Sequence, residues 1–365
     1  MRIGLFHPTY WPEVRRGSER VVHDLAVSLI ARGHEVDVVT AHRGAPCTAV
    51  EGGVRVVRCR RPPELPGAGL YEFHLANAPN VWRELRRGDF DLVHTFFPVD
   101  SWVAVRARRR GGPPVVATLH GVPTRPYLVA RRRRLQMLRE VAEGADRCTV
   151  LSEAAARPFS AYLLRRPLVL PPGVVFDHVA TRVPRSERPT LLCTASLGDP
   201  RKRGPLLFRA FDLLRKHCPE VRLLVIRGRD PILSRERVEL PEGAEWIEIS
   251  SEGDQLARLY ASAWASVLPS VEEAFGLVLT ESLAAGTPVV ADRSGAGPEI
   301  ITSAAVGRLF RPDDEADLSR AMAAVLELGS RPETAEHCRR RAADYDWDSL
   351  VKRYEDVYES VLAPG

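Results

Sequence analysis

Two doubly wound Rossmann-like α/β domains in tandem, facing a cleft, are what this sequence predicts. Three observations carry that expectation. Short β-branched runs alternate with amphipathic segments along nearly the whole chain, the rhythm of a mostly parallel sheet with helices on both faces. A Pro-rich passage at 166–189, RPLVLPPGVVFDHVATRVPRSERP, interrupts the rhythm, which then restarts. The length, 365 residues, exceeds one ordinary core and suits two.

IGLF (3–6) reads as the first strand. Val21, Val22, Leu25, Ala26, Leu29 and Ile30 then recur at three and four residues and mark one face of a helix. That helix should end at Arg32-Gly33-His34, with glycine where the chain leaves in a left-handed conformation. VDVVT (36–40), VRVVRC (54–59), DLVHTFF (91–97), VVATLH (115–120) and CTVLS (148–152) are the further strands of the first domain, expected over 1–175. The second, expected over 186–345, opens with TLLCTAS (190–196) and a helix from about Pro205 to His217. It continues with VRLLVIRG (221–228), WIEI (246–249), a helix over 254–263, SVLPS (266–270), a helix over 277–285 and PVVAD (288–292). A terminal helix runs from about Trp347 to Leu362, within a segment expected over 346–365. Ligands of such sheets bind at the carboxyl ends of the strands, so two of them predict a substrate held in the cleft.

Composition excludes several classes. Apolar residues make up 45% and charged residues 27%, an ordinary globular balance. No apolar run approaches the roughly 20 residues of a membrane-spanning helix, and the start lacks the apolar centre of a signal peptide, so a cytoplasmic protein is expected. Six cysteines at 47, 59, 148, 193, 218 and 338 show no paired spacing, which argues against zinc and a disulfide framework and for buried apolar roles. Residues 1–180 hold 27 basic and 17 acidic side chains, and the remainder 25 and 30, so the first half is basic.

The most informative segment is SVEEAFGLVLTESLAAGTPVVAD (270–292). Glu273 and Glu281 lie eight residues apart, at most about 12 Å along a helix beginning near Gly276. The amides of Phe275, Gly276 and Leu277 would be first-turn donors, and the positive helix end would attract an anion such as a diphosphate. Two flanking carboxylates suit sugar hydroxyls on either side of it. Spacing alone leaves a second reading open, in which both are solvated helix-end charges. Lys202 and Arg203, in a Pro- and Gly-bounded loop after a strand, are cations for the same diphosphate or members of a solvated basic turn. Gly17, between the first strand and helix, would let backbone amides approach a phosphate.

This segment resembles the Glu-x7-Glu signature of family 4 retaining glycosyltransferases of the GT-B fold, and AAGTPVVAD is similar to that family's usual continuation. RGSERVVHDLAVSLIARGHEVDVVT (16–40), LPPGV (170–174) and SLGDPRKRGPLLFRAFDLL (196–214) resemble its first loop and helix, interdomain turn and phosphate loop, so the likeness covers nearly the whole chain. The resemblance implies that Glu281 holds the ribose and Glu273 a donor-sugar hydroxyl, with Ala274, Phe275, Gly276 and Leu277 beside the donor. It implies a sugar-binding role for His120 in Thr-x-His-Gly, retention at the anomeric carbon, and a terminal helix folded back onto the first domain. Ser196 stands where the family usually has Arg, and Arg16-Gly17 where it often has two glycines.

The expected function is transfer of a hexose from a UDP- or GDP-linked donor to a hydroxyl of a glycan, glycolipid or secondary metabolite. His120, Glu273 and Lys202 are the expected catalytic residues, and His7 and Trp11 the expected acceptor contacts. No metal and no other cofactor is expected, because cations and a helix end handle the phosphate charge. Asp100 stays open as a sugar nucleophile. Asp89-Phe90-Asp91 and Asp346-Trp347-Asp348 match a metal-nucleotide pattern but precede a strand and open a helix, respectively. Gly295-Ala296-Gly297 is an incomplete dinucleotide fingerprint and is expected to close over the donor sugar. The clusters RARRR (106–110) and RRRR (131–134) lack interleaved aromatics and read as solvated faces, not nucleic-acid sites; an anionic membrane surface remains a partner. A phosphorylase or epimerase of the same fold, or an inactive paralogue that binds a partner, are the alternatives.

Overall fold

The structure is a computed structural model that describes residues 1–61, 75–130, 132–175, 183–227, 239–249 and 255–363. They divide into two compact units, Met1–Gly173 with Trp347–Gly365, and Val174–Asp346.

The first unit is built on an eight-stranded sheet. Its strands are β1 (Arg2–Phe6), β2 (Glu35–His42), β3 (Cys47–Glu51), β4 (Val54–Arg60), β5 (Leu92–Thr95), β6 (Val115–Leu119), β7 (Arg147–Val150) and β8 (Leu168–Val169). They lie in the order β3-β4-β2-β1-β5-β6-β7-β8, parallel except for β3 against β4. Central strands covered on both faces must be apolar throughout, and Ile3, Leu5, Phe6, Leu92 and Val93 are fully buried. The mostly exposed β3 carries no such run, which is why its sequence, CTAVE, does not announce it. Helix α1 (Gly17–Ala31) buries Val21, Val22, Leu25, Ala26 and Leu29 on one stripe, and Gly33 follows with φ 86°. The other helices of this unit include α2 (Ala78–Arg87), α3 (Pro98–Arg108), α4 (Arg125–Val129), α5 (Arg132–Gly144) and α6 (Glu153–Leu163).

The helix Trp347–Leu362 belongs to this first unit. It buries Trp347, Leu350, Val351, Tyr354, Val357 and Tyr358. Polar contacts fix its register. The Tyr358 hydroxyl is hydrogen-bonded to His94 Nδ1 at 2.7 Å, and His94 Nε2 to the Thr118 hydroxyl at 2.6 Å. Arg32 and His34 both bond Glu355, each at 2.9 Å at the shortest, and hold that carboxyl below its ordinary range.

The second unit holds a parallel six-stranded sheet. Its strands are β9 (Thr190–Cys193), β10 (Arg222–Ile226), β11 (Ala244–Ile247), β12 (Ala265–Leu268), β13 (Val289–Asp292) and β14 (Gly307–Phe310), in the order β11-β10-β9-β12-β13-β14. Helices α7 (Gly204–Arg215), α8 (Gln255–Ser262) and α9 (Leu277–Ala284) connect them, followed by α10 (Gly297–Ile300), α11 (Glu315–Gly329) and α12 (Thr334–Ala342). The residue Asp254, where the sequence pattern starts the second of these helices, and the end of VRLLVIRG lie outside the described residues. Strand order reverses at β9, which has β10 on one side and β12 on the other. Loops leaving β9 and β12 therefore diverge at adjacent carboxyl ends, the position where doubly wound sheets take their ligands.

Candidate active site

In the second unit, the loop after β9 carries Lys202 and the loop after β12 carries Glu273. Lys202 Nζ lies 2.6 Å from Glu273 Oε2, with the two side chains only 20% and 23% exposed. The loops are also tied by backbone, Val271 N donating to the Arg201 carbonyl at 3.1 Å. Helix α9 starts one residue later than a beginning at Gly276 would have it. Gly276 is its cap at φ 91°, a conformation that L side chains rarely adopt, and no side chain caps the helix. A charge-attracting amino end of α9 thus lies beside the Lys202–Glu273 pair.

A second close approach holds Glu273. A Cβ at Gly295 would come within 2.7 Å of both Glu273 N and O, and Ala296 N donates to that carbonyl at 3.0 Å. The Gly295-Ala296-Gly297 segment therefore braces the Glu273 backbone. Phe275 packs edge-on against Tyr345 with ring centroids 5.4 Å apart, and Ala274 is buried. Leu277 opens α9. Glu281 accepts a hydrogen bond from the Tyr260 hydroxyl at 3.1 Å.

The neighbouring cations are committed differently. Arg203, in a left-handed conformation at φ 50°, is paired with Asp313, and Arg201 lies 2.6 Å from Asp199. Ser196 contributes its carbonyl to the turn, accepting from Asp199 N at 3.1 Å.

In the first unit, polar side chains gather at the carboxyl ends of β1 and β6. His7 is 3% exposed and donates from Nδ1 to the Thr9 carbonyl at 2.6 Å, which leaves Nε2 as a buried acceptor with no protein partner. His120 lies with its ring centroid 6.4 Å from that of His7, and neither of its nitrogens has a protein partner. Burial pushes its pKa down to about 3, with His7 as a second cause, so the ring is neutral at ordinary pH. Gly17 is not in the loop but opens α1, and its φ is not left-handed. Trp11 lies under the guanidinium groups of Arg15 and Arg20, 5.3 and 5.2 Å from its ring centroid.

Sequence reasoning missed Glu19. It is fully buried and takes hydrogen bonds from Thr9 at 2.6 Å, Ser18 at 2.7 Å and Arg16 at 2.9 Å. These donors and His7 hold its carboxyl down to about 2 against the opposing effect of burial. Arg16, which replaces a glycine of the family pattern, is the cationic partner of this carboxylate. Asp100, in the first turn of α3, is 1% exposed and neither of its carboxyl oxygens has a protein partner. Burial raises its pKa to about 8.

The remaining patterns resolve structurally. Asp91 accepts from Arg2 N at 2.7 Å, and Asp348 sits in the first turn of the terminal helix. Among the described residues no three His, Cys, Asp or Glu side chains form a metal-ligand set. Cys59, Cys148, Cys193 and Cys338 are buried, Cys218 is half-buried and Cys47 exposed. No aromatic is interleaved in the run 106–110 itself, but two pack on it in space. Arg106 stacks on Trp102 at 4.0 Å and Arg110 lies 5.5 Å from the centre of Trp82, an aromatic from another helix that linear spacing cannot reveal. Arg134 lies over Tyr127 at 4.2 Å, and Arg131 falls outside the described residues.

Comparison with known proteins agrees with this architecture. Residues 15–178 match Glycosyltransferase Family 4, and residues 188–328 match Glycosyl transferases group 1. The chain is 29% identical to a phosphatidyl-myo-inositol mannosyltransferase of Mycobacterium leprae, over all of this chain and 98% of that protein. It is 30% identical to an MMP alpha-(1->4)-mannosyltransferase of Mycolicibacterium hassiacum, over 76% of this chain and 72% of that protein. Its fold matches sucrose-phosphate synthase from Thermosynechococcus elongatus with a TM-score of 0.82, at 21% identity and 99% coverage of both chains. With two parallel-sheet Rossmann-like units, a family match in each and relatives aligned along its length, the chain belongs to the family 4, group 1 glycosyltransferases of the GT-B fold.

Proposed function

We propose that this chain transfers a hexose, mannose foremost, from a UDP- or GDP-linked donor to a hydroxyl of an inositol-, glycan- or lipid-type acceptor, with retention and without a metal ion. The observation that carries this reading is the 2.6 Å Lys202–Glu273 pair beside the uncapped amino end of α9. The names of the two relatives support mannose, and that of the first an inositol lipid acceptor. The basic balance of residues 1–180 supports peripheral contact with an anionic membrane from the cytoplasmic side.

In this reading the donor diphosphate takes Lys202 Nζ and the α9 amino end, with the backbone of Ala274, Phe275, Gly276 and Leu277 alongside. Arg203 joins it by exchanging Asp313 for phosphate, and the amino end of α1 at Gly17 offers amides of its own. Glu273 accepts from a sugar hydroxyl and Glu281 from the ribose. The bond from the anomeric carbon to the phosphate oxygen breaks, its electron pair staying on the phosphate. The acceptor oxygen bonds the same face of that carbon, and its proton passes to the departing phosphate oxygen. Lys202 stabilises the charge that grows on that oxygen, which accelerates the step because the interaction strengthens in the transition state. His120, neutral, serves as a hydrogen-bonding partner of the sugar, while His7 Nε2 and Trp11 contact the acceptor.

The test is a thermal-shift screen with UDP, GDP, ADP, TDP and their sugars, because a ligand that binds the native state alone raises the melting temperature. One diphosphate should give a clear shift, and its sugar should then be transferred with the rate unchanged by a chelator. No shift with any of them would favour an inactive paralogue, and activity lost on chelation and restored by a divalent ion would overturn the metal-free step.

A further inference from the structure

Three elements of the second unit meet at one phenol. Tyr260, on α8, is 1% exposed and packs among Leu192, Leu224, Ala261, Ala263 and Ala285. Its hydroxyl donates to Glu281 Oε2 on α9 at 3.1 Å and is 2.9 Å from the Thr194 hydroxyl, just past the end of β9. The phenol proton is committed to the carboxylate, so Thr194 donates and the tyrosine oxygen accepts. The main chain behind it is fixed as well, the Thr287 hydroxyl donating to the Tyr260 carbonyl at 2.6 Å. An apolar pocket of this kind would take Phe with no polar group to desolvate, whereas a buried hydroxyl is tolerated only where its hydrogen bonds are made. Thr194 follows the carboxyl end of β9, and Glu281 lies in the second turn of the helix that follows β12, on the side where such sheets take ligands.

We infer that Tyr260, held by Thr194, is a positioning residue for Glu281: it fixes the orientation of that carboxylate and so sets how strongly the protein prefers a ribonucleoside diphosphate over its 2′-deoxy form. This rests on the reading of Glu281 as the ribose ligand. A carboxylate free to rotate must be ordered when ligand binds, whereas one already restrained by a buried donor loses less freedom on binding. Burial, with the charge of Glu281 as second cause, pushes the phenol well above its ordinary range, so it remains a donor wherever the protein is folded.

The experiment measures the affinity of the full chain for UDP, GDP and their 2′-deoxy forms, using whichever base binds. Tyr260→Phe should weaken the ribonucleotide about three- to tenfold and shrink the ribo/deoxy preference by a similar factor. It should have no further effect when placed on Glu281→Ala. Thr194→Val, which leaves the phenol in place, should move the preference the same way by a smaller factor, and it serves as the test if Tyr260→Phe does not fold. If Glu281→Ala abolishes the preference while Tyr260→Phe and Thr194→Val leave it intact, the positioning role is wrong and the ribose reading stands. If Glu281→Ala itself leaves affinity and preference unchanged, or no nucleotide binds, the ribose reading fails and the inference with it. A merely structural role would lower thermal stability without moving the ribo/deoxy ratio.

Discussion

Replacing Lys202 by Met keeps the apolar stem of the side chain and removes its terminal ammonium. A hydrogen bond from a charged donor contributes about 1.5–3 kcal/mol. If that interaction matures on the departing phosphate, kcat/KM should fall about 10- to 150-fold, a factor of ten for each 1.4 kcal/mol. The same ammonium also lies 2.6 Å from Glu273 in the free protein, with about four-fifths of each side chain covered. Its loss strands a partly desolvated carboxylate, which is less costly than in a fully buried pair but more so than at the surface, about 1–3 kcal/mol. The melting temperature should then drop by about 2–4 °C per kcal/mol. Lys202→Met combined with Glu273→Gln separates the two effects. The double variant should recover most of the stability and none of the rate. Steady-state transfer and thermal denaturation of the three proteins are the assays. If Lys202→Met keeps kcat/KM within about threefold while its melting temperature falls, Lys202 is a structural partner of Glu273 and its assignment to the phosphate is refuted.

Gly295→Ala would drive a methyl to within 2.7 Å of the Glu273 backbone in a left-handed conformation, so kcat/KM should fall more steeply than stability, and equal losses would deny any link to Glu273. Tyr358→Phe removes the buried partner of His94 Nδ1 and should destabilise by about 1–3 kcal/mol with little change in KM, checked by denaturant unfolding. Asp100, at about 8 when folded against an ordinary 3.8, binds more protons folded than unfolded between those values, so its contribution weakens as pH rises through about 8. Asp100→Asn should therefore raise the melting temperature more at pH 8 than at pH 4; an equal shift at both would remove the proton from the argument.

What the sequence makes legible follows from short-range physics. The buried strands of both sheets announce themselves as apolar runs, and Gly33 marks the end of α1 because a left-handed exit favours glycine. The strand β14 reads GRLF and is flanked by no long apolar run, so periodicity is silent about it; the pairing with β13 makes it a strand. Lys202 and Glu273 each lie in a readable loop, yet their separation of 2.6 Å is set by a reversal of strand order. The partners of Arg203 and Glu281 are Asp313, 110 residues away, and Tyr260, on another helix. Glu19 reads as an ordinary acid in a first helical turn, and only its complete burial among Thr9, Arg16 and Ser18 distinguishes it.

The placement of the helix Trp347–Leu362 has a consequence for biosynthesis. Chains emerge from the ribosome amino end first, and domains generally fold as units in that order. Here the unit that begins first is interrupted in sequence, because residues 174–346 form the other unit and must be made before the helix that buries Tyr358 against His94. Until then the groove that receives Trp347, Tyr354 and Tyr358 stays open on a nascent chain. The later-starting unit can therefore mature first, and the earlier one is completed only once the helix Trp347–Leu362 has been made and is free to dock.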